Sequence, residues 1–160
     1  MVIWLLLQEN VESNSLLPYS FVRVDNAYTF STDDNVVYKA YFVEYPFFTQ
    51  HFYSLAFDRI KEIYSCPDSR VSLTIISIIE DFFARGGNML GYTCDASDER
   101  QKGRNRLFTM WFKCFNEGRF VKYDFKQDNM YISIIAKQEA QDIDEIKSEI
   151  NELLQYLSQK

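Results

Sequence analysis

Alternation of apolar and polar residues predicts a β-hairpin near the start of the chain. Residues 27–32 and 35–44 place apolar side chains at every second position, the period of a strand with one buried face. The turn-forming run Thr32-Asp33-Asp34-Asn35 lies between them. A strand at 20–24 can join this hairpin, and residues 51–60 alternate again as a further strand.

At residue 68 the apolar period lengthens to that of a helix. Asp68 or Ser69 provides the N-cap, and Gly86-Gly87 provides the stop. The broad apolar stripe between them predicts a helix buried against a sheet. Further helices are predicted at roughly 97–116 and at 142–158. The apolar face of the last helix either packs on the same sheet or forms a dimer contact.

The remaining strands complete one domain. Residues 89–94 are short and apolar enough to be central in a sheet, and 120–125 and 130–137 form a second hairpin. This order predicts one α+β domain over residues 1–160, a mostly antiparallel sheet of about six strands with three helices packed on it. Residues 1–19 are predicted to be an arm that covers the core.

Composition restricts the function classes. The net charge of −6 and the pI of about 4.8 argue against a broad nucleic-acid-binding surface. The apolar run within residues 1–10 is too short for a membrane span and lacks a signal-peptide pattern, so we expect a soluble cytoplasmic protein. The aromatic content of 17% predicts a core built from rings, or alternatively a ring-lined ligand pocket.

Cysteine and histidine give little support to catalysis. Cys66, Cys94 and Cys114 are widely spaced, which fits reduced thiols better than a disulfide framework or a zinc site, and the latter two are predicted to be core fillers. His51, the only histidine, is predicted to be a solvated edge residue rather than a catalyst. No metal or cofactor is predicted, and the common phosphate-binding and hydrolase motifs are absent from the sequence.

The candidate site lies where the strand at 89–94 leads into the second helix. Residues four apart share a helix face, so Arg100 and Arg104 lie on the line that continues into the aromatic stripe of Trp111. A buried guanidinium needs an ion-pair partner, and the carboxylates of Asp95 and Asp98 are the candidates close by in the sequence. The predicted ligand-binding residues are therefore Asp95, Asp98, Arg100, Arg104 and Trp111.

Three interpretations of this group remain open. The arginines can form an ion-pair network that only fixes the turn. They can instead clamp a phosphate or carboxylate, since guanidinium groups suit bidentate contacts with such anions. The two carboxylates can also act as an acid/base or metal pair, although two carboxylates alone are weak grounds for a metal site.

The run CDASDERQKGRNRLFTMWF at 94–112 resembles an uncharacterised family of small bacterial proteins. Members carry a strand ending in Cys-Asp, an Asp-x-Arg-Gln turn and an Arg-x-x-Leu-Phe-x-x-Trp-Phe helix. Here the resemblance extends over roughly residues 20–137, and it implies no function.

The order of strands and helices also resembles the core of GNAT-type N-acyltransferases. That family binds the coenzyme A pyrophosphate with a glycine-rich loop before the helix that starts here at Ser69, whereas this chain has Cys66-Pro67-Asp68-Ser69-Arg70 there. The resemblance implies a splayed pair of parallel strands that opens a cleft beside this helix.

Two functional hypotheses follow, besides a purely structural role. The first is a non-enzymatic binding or regulatory module that recognises a protein partner or an anionic ligand. Its partner surface would be the last helix, also a candidate homodimer contact, or the region of Arg100 and Arg104. The alternative is a GNAT-like N-acyltransferase that uses acyl-coenzyme A.

Overall fold

Ten elements are present in the computed structural model, which describes residues 17–45, 52–60, 68–94, 101–127, 130–139 and 143–158. They are β1 (Phe21–Val24), β2 (Ala27–Ser31), β3 (Val37–Tyr45), β4 (Phe52–Arg59), α1 (Ser69–Ala84), β5 (Met89–Cys94), α2 (Gln101–Phe115), β6 (Phe120–Gln127), β7 (Met130–Lys137) and α3 (Ile143–Ser158).

The strands form one seven-stranded sheet in the order β1-β2-β3-β4-β5-β7-β6. Every neighbouring pair is antiparallel except β4 and β5, which run parallel. The sheet therefore confirms the predicted mostly antiparallel α+β class. It has one strand more than the predicted six, because the short strand β1 pairs with β2 over four residue pairs.

Helix α1 lies on one face of the sheet in the way that its broad apolar stripe predicts. Asp68 is its N-cap, and its side chain accepts a hydrogen bond from the backbone N–H of Arg70. The helix ends next to Gly86, whose φ of +100° is a conformation that favours glycine. Its core contact is aromatic: the rings of Phe82 and Phe42 stack with centroids 4.3 Å apart.

Helices α2 and α3 cover the rest of the sheet. Phe108 of α2 packs on Tyr92 of β5, on the same face as α1, with ring centroids 4.4 Å apart. Ile150 of α3 is 1% exposed and lies in a separate cluster with Met89 and Ile134. Of the two alternatives for the last helix, the structure shows packing on the sheet, and a dimer contact stays a prediction.

One prediction about the core is wrong. Cys114 is exposed rather than a core filler. The inward positions of α2 include Phe108 and Phe112, and Cys114 follows two residues later, about 200° further round the helix.

Several other predictions concern residues outside the described part of the chain. Most of the predicted arm at 1–19 lies outside it, because only residues 17–19 of the arm are described. The predictions for His51, for Cys66 and for the start of the second helix at 97–100 also fall outside the described residues. The backbone of Cys94 is described, but its side chain is not. Of the helices in the described ranges, none is long and apolar enough to cross a membrane.

A hydrogen-bonded triad links β2 to α1. The Tyr28 hydroxyl donates to Asp81 Oδ2 at 2.8 Å, and Arg85 Nε donates to the same oxygen at 2.7 Å. The bond from Arg85, helped by that from Tyr28, lowers the pKa of Asp81 despite partial burial. Burial first, and then the hydrogen bond to Asp81, raises the pKa of Tyr28 to about 12.

This triad predicts a loss of stability in alkali. Because folding raises the pKa of Tyr28 from 10.0 to about 12, its stabilising contribution is complete below pH 10 and disappears as the pH rises through 12. Between these pH values the free energy of unfolding of wild type should fall more steeply than that of Tyr28→Phe, by at most about 1.4 kcal/mol per pH unit. Urea denaturation at pH 8, 10, 11 and 12 measures both slopes, and parallel slopes would contradict the prediction.

Candidate functional site

The structure places only part of the group that the sequence predicted at the end of β5. Arg104 lies in the first turn of α2, and Trp111 lies two turns further along the same helix; only their backbones are described. Asp95, Asp98 and Arg100 are outside the described residues. The five predicted site residues therefore remain a prediction.

Directly beneath the first half of α2 lies a polar cluster that the sequence analysis missed. It consists of Lys122 and Asp124 on β6, Ser133 on β7, and Asn105 and Thr109 on α2. Alternation along β6 puts Lys122 and Asp124 on one face of the sheet, and the register sets Asp124 opposite Ser133. We call these five residues the polar cluster.

Its hydrogen bonds converge on one carboxylate. Asp124 forms an ion pair with Lys122, and the same Oδ1 accepts the Ser133 hydroxyl at 2.5 Å. Lys122 Nζ also donates to Thr109 Oγ1 at 3.1 Å, and Ser133 Oγ lies 3.2 Å from Asn105 Oδ1. Two strands and a helix therefore hold the cluster together, and Tyr92 of the adjacent strand β5 lies opposite Ser133 in the register.

Exposure decides what the cluster can do. The Lys122 side chain is only 5% exposed and Ser133 only 1%, whereas the Asp124 side chain is 52% exposed. Neither the amine nor the hydroxyl is accessible enough to attack a substrate. The cluster suits the support of a binding site at its solvent side better than nucleophilic catalysis.

A sequence signal for the cluster did exist. The strand FVKYDFKQ places a cation and an anion two residues apart, and ISII places one serine within an apolar run. Because β6 and β7 were predicted as a hairpin, pairing its arms residue by residue would have set Asp124 opposite Ser133.

The start of α1, where a GNAT enzyme would bind phosphate, is closed by the protein's own groups. The Tyr19 hydroxyl donates to Asp68 Oδ2 at 2.6 Å. Arg70 crosses the same region, with Nη1 2.7 Å from Asp33 Oδ2 and Nε donating to the Leu17 carbonyl at 2.9 Å. A helix start normally attracts anions, but here a carboxylate already occupies it.

Strands β4 and β5 diverge soon after they meet. Their parallel register contains three residue pairs, from Phe52 opposite Met89 to Ser54 opposite Gly91. The register pairs with β5 end at Ser54, although β4 itself continues for five more residues. On the helix side of this divergence, Ile75 of α1 is 3% exposed and packs with Phe57 and Phe108.

Over the described ranges, no group of three or more His, Cys, Asp or Glu side chains could hold a metal ion. A family model described as a family of unknown function (DUF6169) matches residues 67–152, which is more than half of the chain. No curated protein and no solved structure matches.

Proposed function

This chain belongs to the family of unknown function DUF6169, and from its side chains we propose that it is a non-enzymatic module that binds an anionic group at the carboxyl end of β5. The observation that carries the proposal is the ion pair between Lys122 and Asp124 beneath α2. The anionic group is a phosphate or a carboxylate, on a small molecule or on a protein partner.

The ion pair balances the charge of the Asp124 carboxylate beneath α2. Asp124 is already neutralised by Lys122, so this carboxylate does not require Arg104 as a counter-ion. The 3.2 Å contact between Ser133 Oγ and Asn105 Oδ1 places the second turn of α2 over the cluster, one residue along the chain from Arg104. A guanidinium at this position suits bidentate contact with phosphate or carboxylate.

The non-enzymatic part of the proposal follows from access. Acyl or group transfer needs a nucleophile or base that reaches the substrate. The Lys122 amine and the Ser133 hydroxyl are enclosed by the sheet and α2, and both already make hydrogen bonds. A rigid, satisfied polar cluster of this kind instead supports the residues that contact a ligand.

The test is ligand-dependent thermal stability of wild type and of Arg104→Ala. The panel contains phosphate, citrate, nucleotides and coenzyme A. We expect one anion to stabilise wild type, by about 2.7 kcal/mol at a concentration of 100 times its Kd, because it binds only the folded state. Arg104→Ala should fold and lose this response.

Arg106→Ala is the matched control, because Arg106 is an exposed arginine two residues away on the same helix. This variant should keep the full response. If no anion stabilises wild type, or if Arg106→Ala loses the response as completely as Arg104→Ala, the proposed site is wrong.

A GNAT-like N-acyltransferase is the second candidate, and the divergence of the parallel strands β4 and β5 favours it. The closed start of α1 opposes it, because Asp68 lies where the pyrophosphate of coenzyme A would bind. This hypothesis requires stabilisation by acetyl-coenzyme A and transfer of its acetyl group to an amine. Stabilisation by phosphate without a response to coenzyme A would favour the anion-binding module instead.

A further inference from the structure

The outer edge of β6 is open to a further strand over part of its length. Among the described residues, β6 pairs only with β7 and stands last in the sheet. The Arg119 carbonyl, just before β6, accepts a hydrogen bond from the N–H of Gln138, just after β7. Because hydrogen bonding alternates along an antiparallel pair, the backbone groups of Lys122 and Asp124 point away from β7.

Asn116 closes this edge at the first residue of β6. Its side-chain Oδ1 accepts a hydrogen bond from the Phe120 N–H at 2.7 Å, and its Nδ2 donates to the Phe120 carbonyl at 2.8 Å. No described residue makes such backbone contacts to Lys122 or Asp124 on this side. Their outward N–H and carbonyl groups are therefore the part of the edge that another strand can bind.

We propose that this edge pairs antiparallel with β6 of a second copy of the chain, with Tyr123 on the two-fold axis. In that register Lys122 of each copy lies opposite Asp124 of the other, so the contact is self-complementary in charge. The same two residues direct their backbone groups outward, so about four backbone hydrogen bonds join the copies. Side-chain charge and backbone direction thus select the same pairing.

Other registers fit the charges or the apolar residues less well. A lysine in an edge strand ordinarily discourages pairing, and a register centred on Lys122 or on Asp124 would indeed bring like charges together. A register centred on Phe125 would oppose unlike charges, but it would set Tyr123 opposite the polar Gln127. Only centring on Tyr123 matches the charges on one face and the apolar residues on the other.

The apolar match lies on the face of β6 that α3 covers. Val121 and Phe125 pack against the cluster that contains Ile150, yet both are only partly buried. In the proposed register Val121 of each copy lies opposite Phe125 of the other. Pairing therefore removes further apolar surface from water at the place where the single chain leaves it exposed.

The competing edge is β1, at the other end of the sheet. It has only four residues, and its one charged residue is Arg23. A second copy of β1 offers no opposite charge to this arginine, so we place the contact at β6.

Disulfide trapping tests the contact and its register. In Tyr123→Cys, residue 123 lies on the axis, where the Cα atoms of a non-hydrogen-bonded pair are about 4.5 Å apart, within the disulfide range of about 4.4–6.8 Å. We expect mild oxidation to link most of this variant into dimers. Sedimentation equilibrium of wild type at high concentration should give twice the chain mass of 19.0 kDa.

Phe125→Cys is the matched control, two residues away on the same face of the same strand. In the proposed register the two copies of residue 125 are about 13 Å apart along the strands. This variant should therefore stay mostly unlinked, as should wild type with its three native cysteines.

Amide hydrogen exchange tests the contact in wild type without any substitution. The N–H groups of Lys122 and Asp124 should exchange more slowly as protein concentration rises, because they are hydrogen-bonded only in the dimer. The N–H of Arg23 at the other edge should not respond. A monomer mass at every concentration, exchange at 122 and 124 that is independent of concentration, or linking of Phe125→Cys as complete as that of Tyr123→Cys would each overturn the proposal. No anion is involved, so this proposal and the proposed function can fail separately.

Discussion

Replacing Gly91 by alanine should destabilise the fold by about 2 kcal/mol, a large effect for one methyl group. Gly91 is buried in β5, and the Phe52 ring occupies the space that a Cβ atom at residue 91 would need. A methyl group there would overlap Cζ of this ring and lie 2.8 Å from its Cε2, whereas non-bonded carbon atoms pack at about 3.5–4.0 Å. The ring has little room to move, because it is 5% exposed and packs in the cluster that contains Ile150 of α3.

A double-mutant cycle identifies the cause of this loss. The variant Phe52→Leu removes the ring, so adding Gly91→Ala to it should cost less than about 0.5 kcal/mol, and the coupling between the two changes should exceed about 1 kcal/mol. Urea denaturation of all four proteins supplies the free energies. Equal costs of Gly91→Ala in the two backgrounds would show that contact with Phe52 is not the reason for glycine at this position.

Removing the Asp124 carboxylate should cost about 2–3 kcal/mol of unfolding free energy, because it leaves the ammonium of Lys122 without its counter-ion. The Lys122 side chain is 5% exposed, so water cannot fully replace the lost ion pair. We place the loss below the full cost of breaking a buried pair, since the Asp124 side chain itself is 52% exposed. Asp124→Ala is the variant, and denaturation in urea is the measurement.

The combination Lys122→Met with Asp124→Ala should recover most of this stability, since apolar replacement of a buried ion pair is often neutral or favourable. Glu117→Ala is the control for losing a surface charge. Glu117 is 77% exposed and lies 3.8 Å from Arg119, so its removal should change stability by less than about 0.5 kcal/mol. If the double variant is no more stable than Asp124→Ala alone, the unpaired ammonium of Lys122 is not the cause of the lower unfolding free energy.

The elements could be predicted because each depends on residues close together in the chain. The period-two pattern located β3 at Val37–Tyr45, where 35–44 had been predicted, and the predicted bounds of β5 and β7 agree with the structure. Asp68 and Gly86 marked the ends of α1, since capping depends on a few neighbouring residues.

The features on which the proposed function rests depend on contacts between distant residues. The closure at the start of α1 joins Tyr19 to Asp68 and Asp33 to Arg70, across separations of 49 and 37 residues. No local period encodes such pairs. The polar cluster needed the register of β6 on β7 and the position of α2 above them, and only the first of these could be derived from the predicted hairpin.

The short junction between β4 and β5 also affects how the molecule assembles. On one side of it, β1 to β4 pair in sequence order, and on the other β6 and β7 are consecutive partners. Such local pairings have a small loop-closure cost. Pairing of β4 with β5 must instead close the longer loop that contains α1, and only three register pairs join the two strands. The two halves are therefore candidates for separate cooperative units, and their junction is the place where partial opening needs the fewest broken backbone contacts.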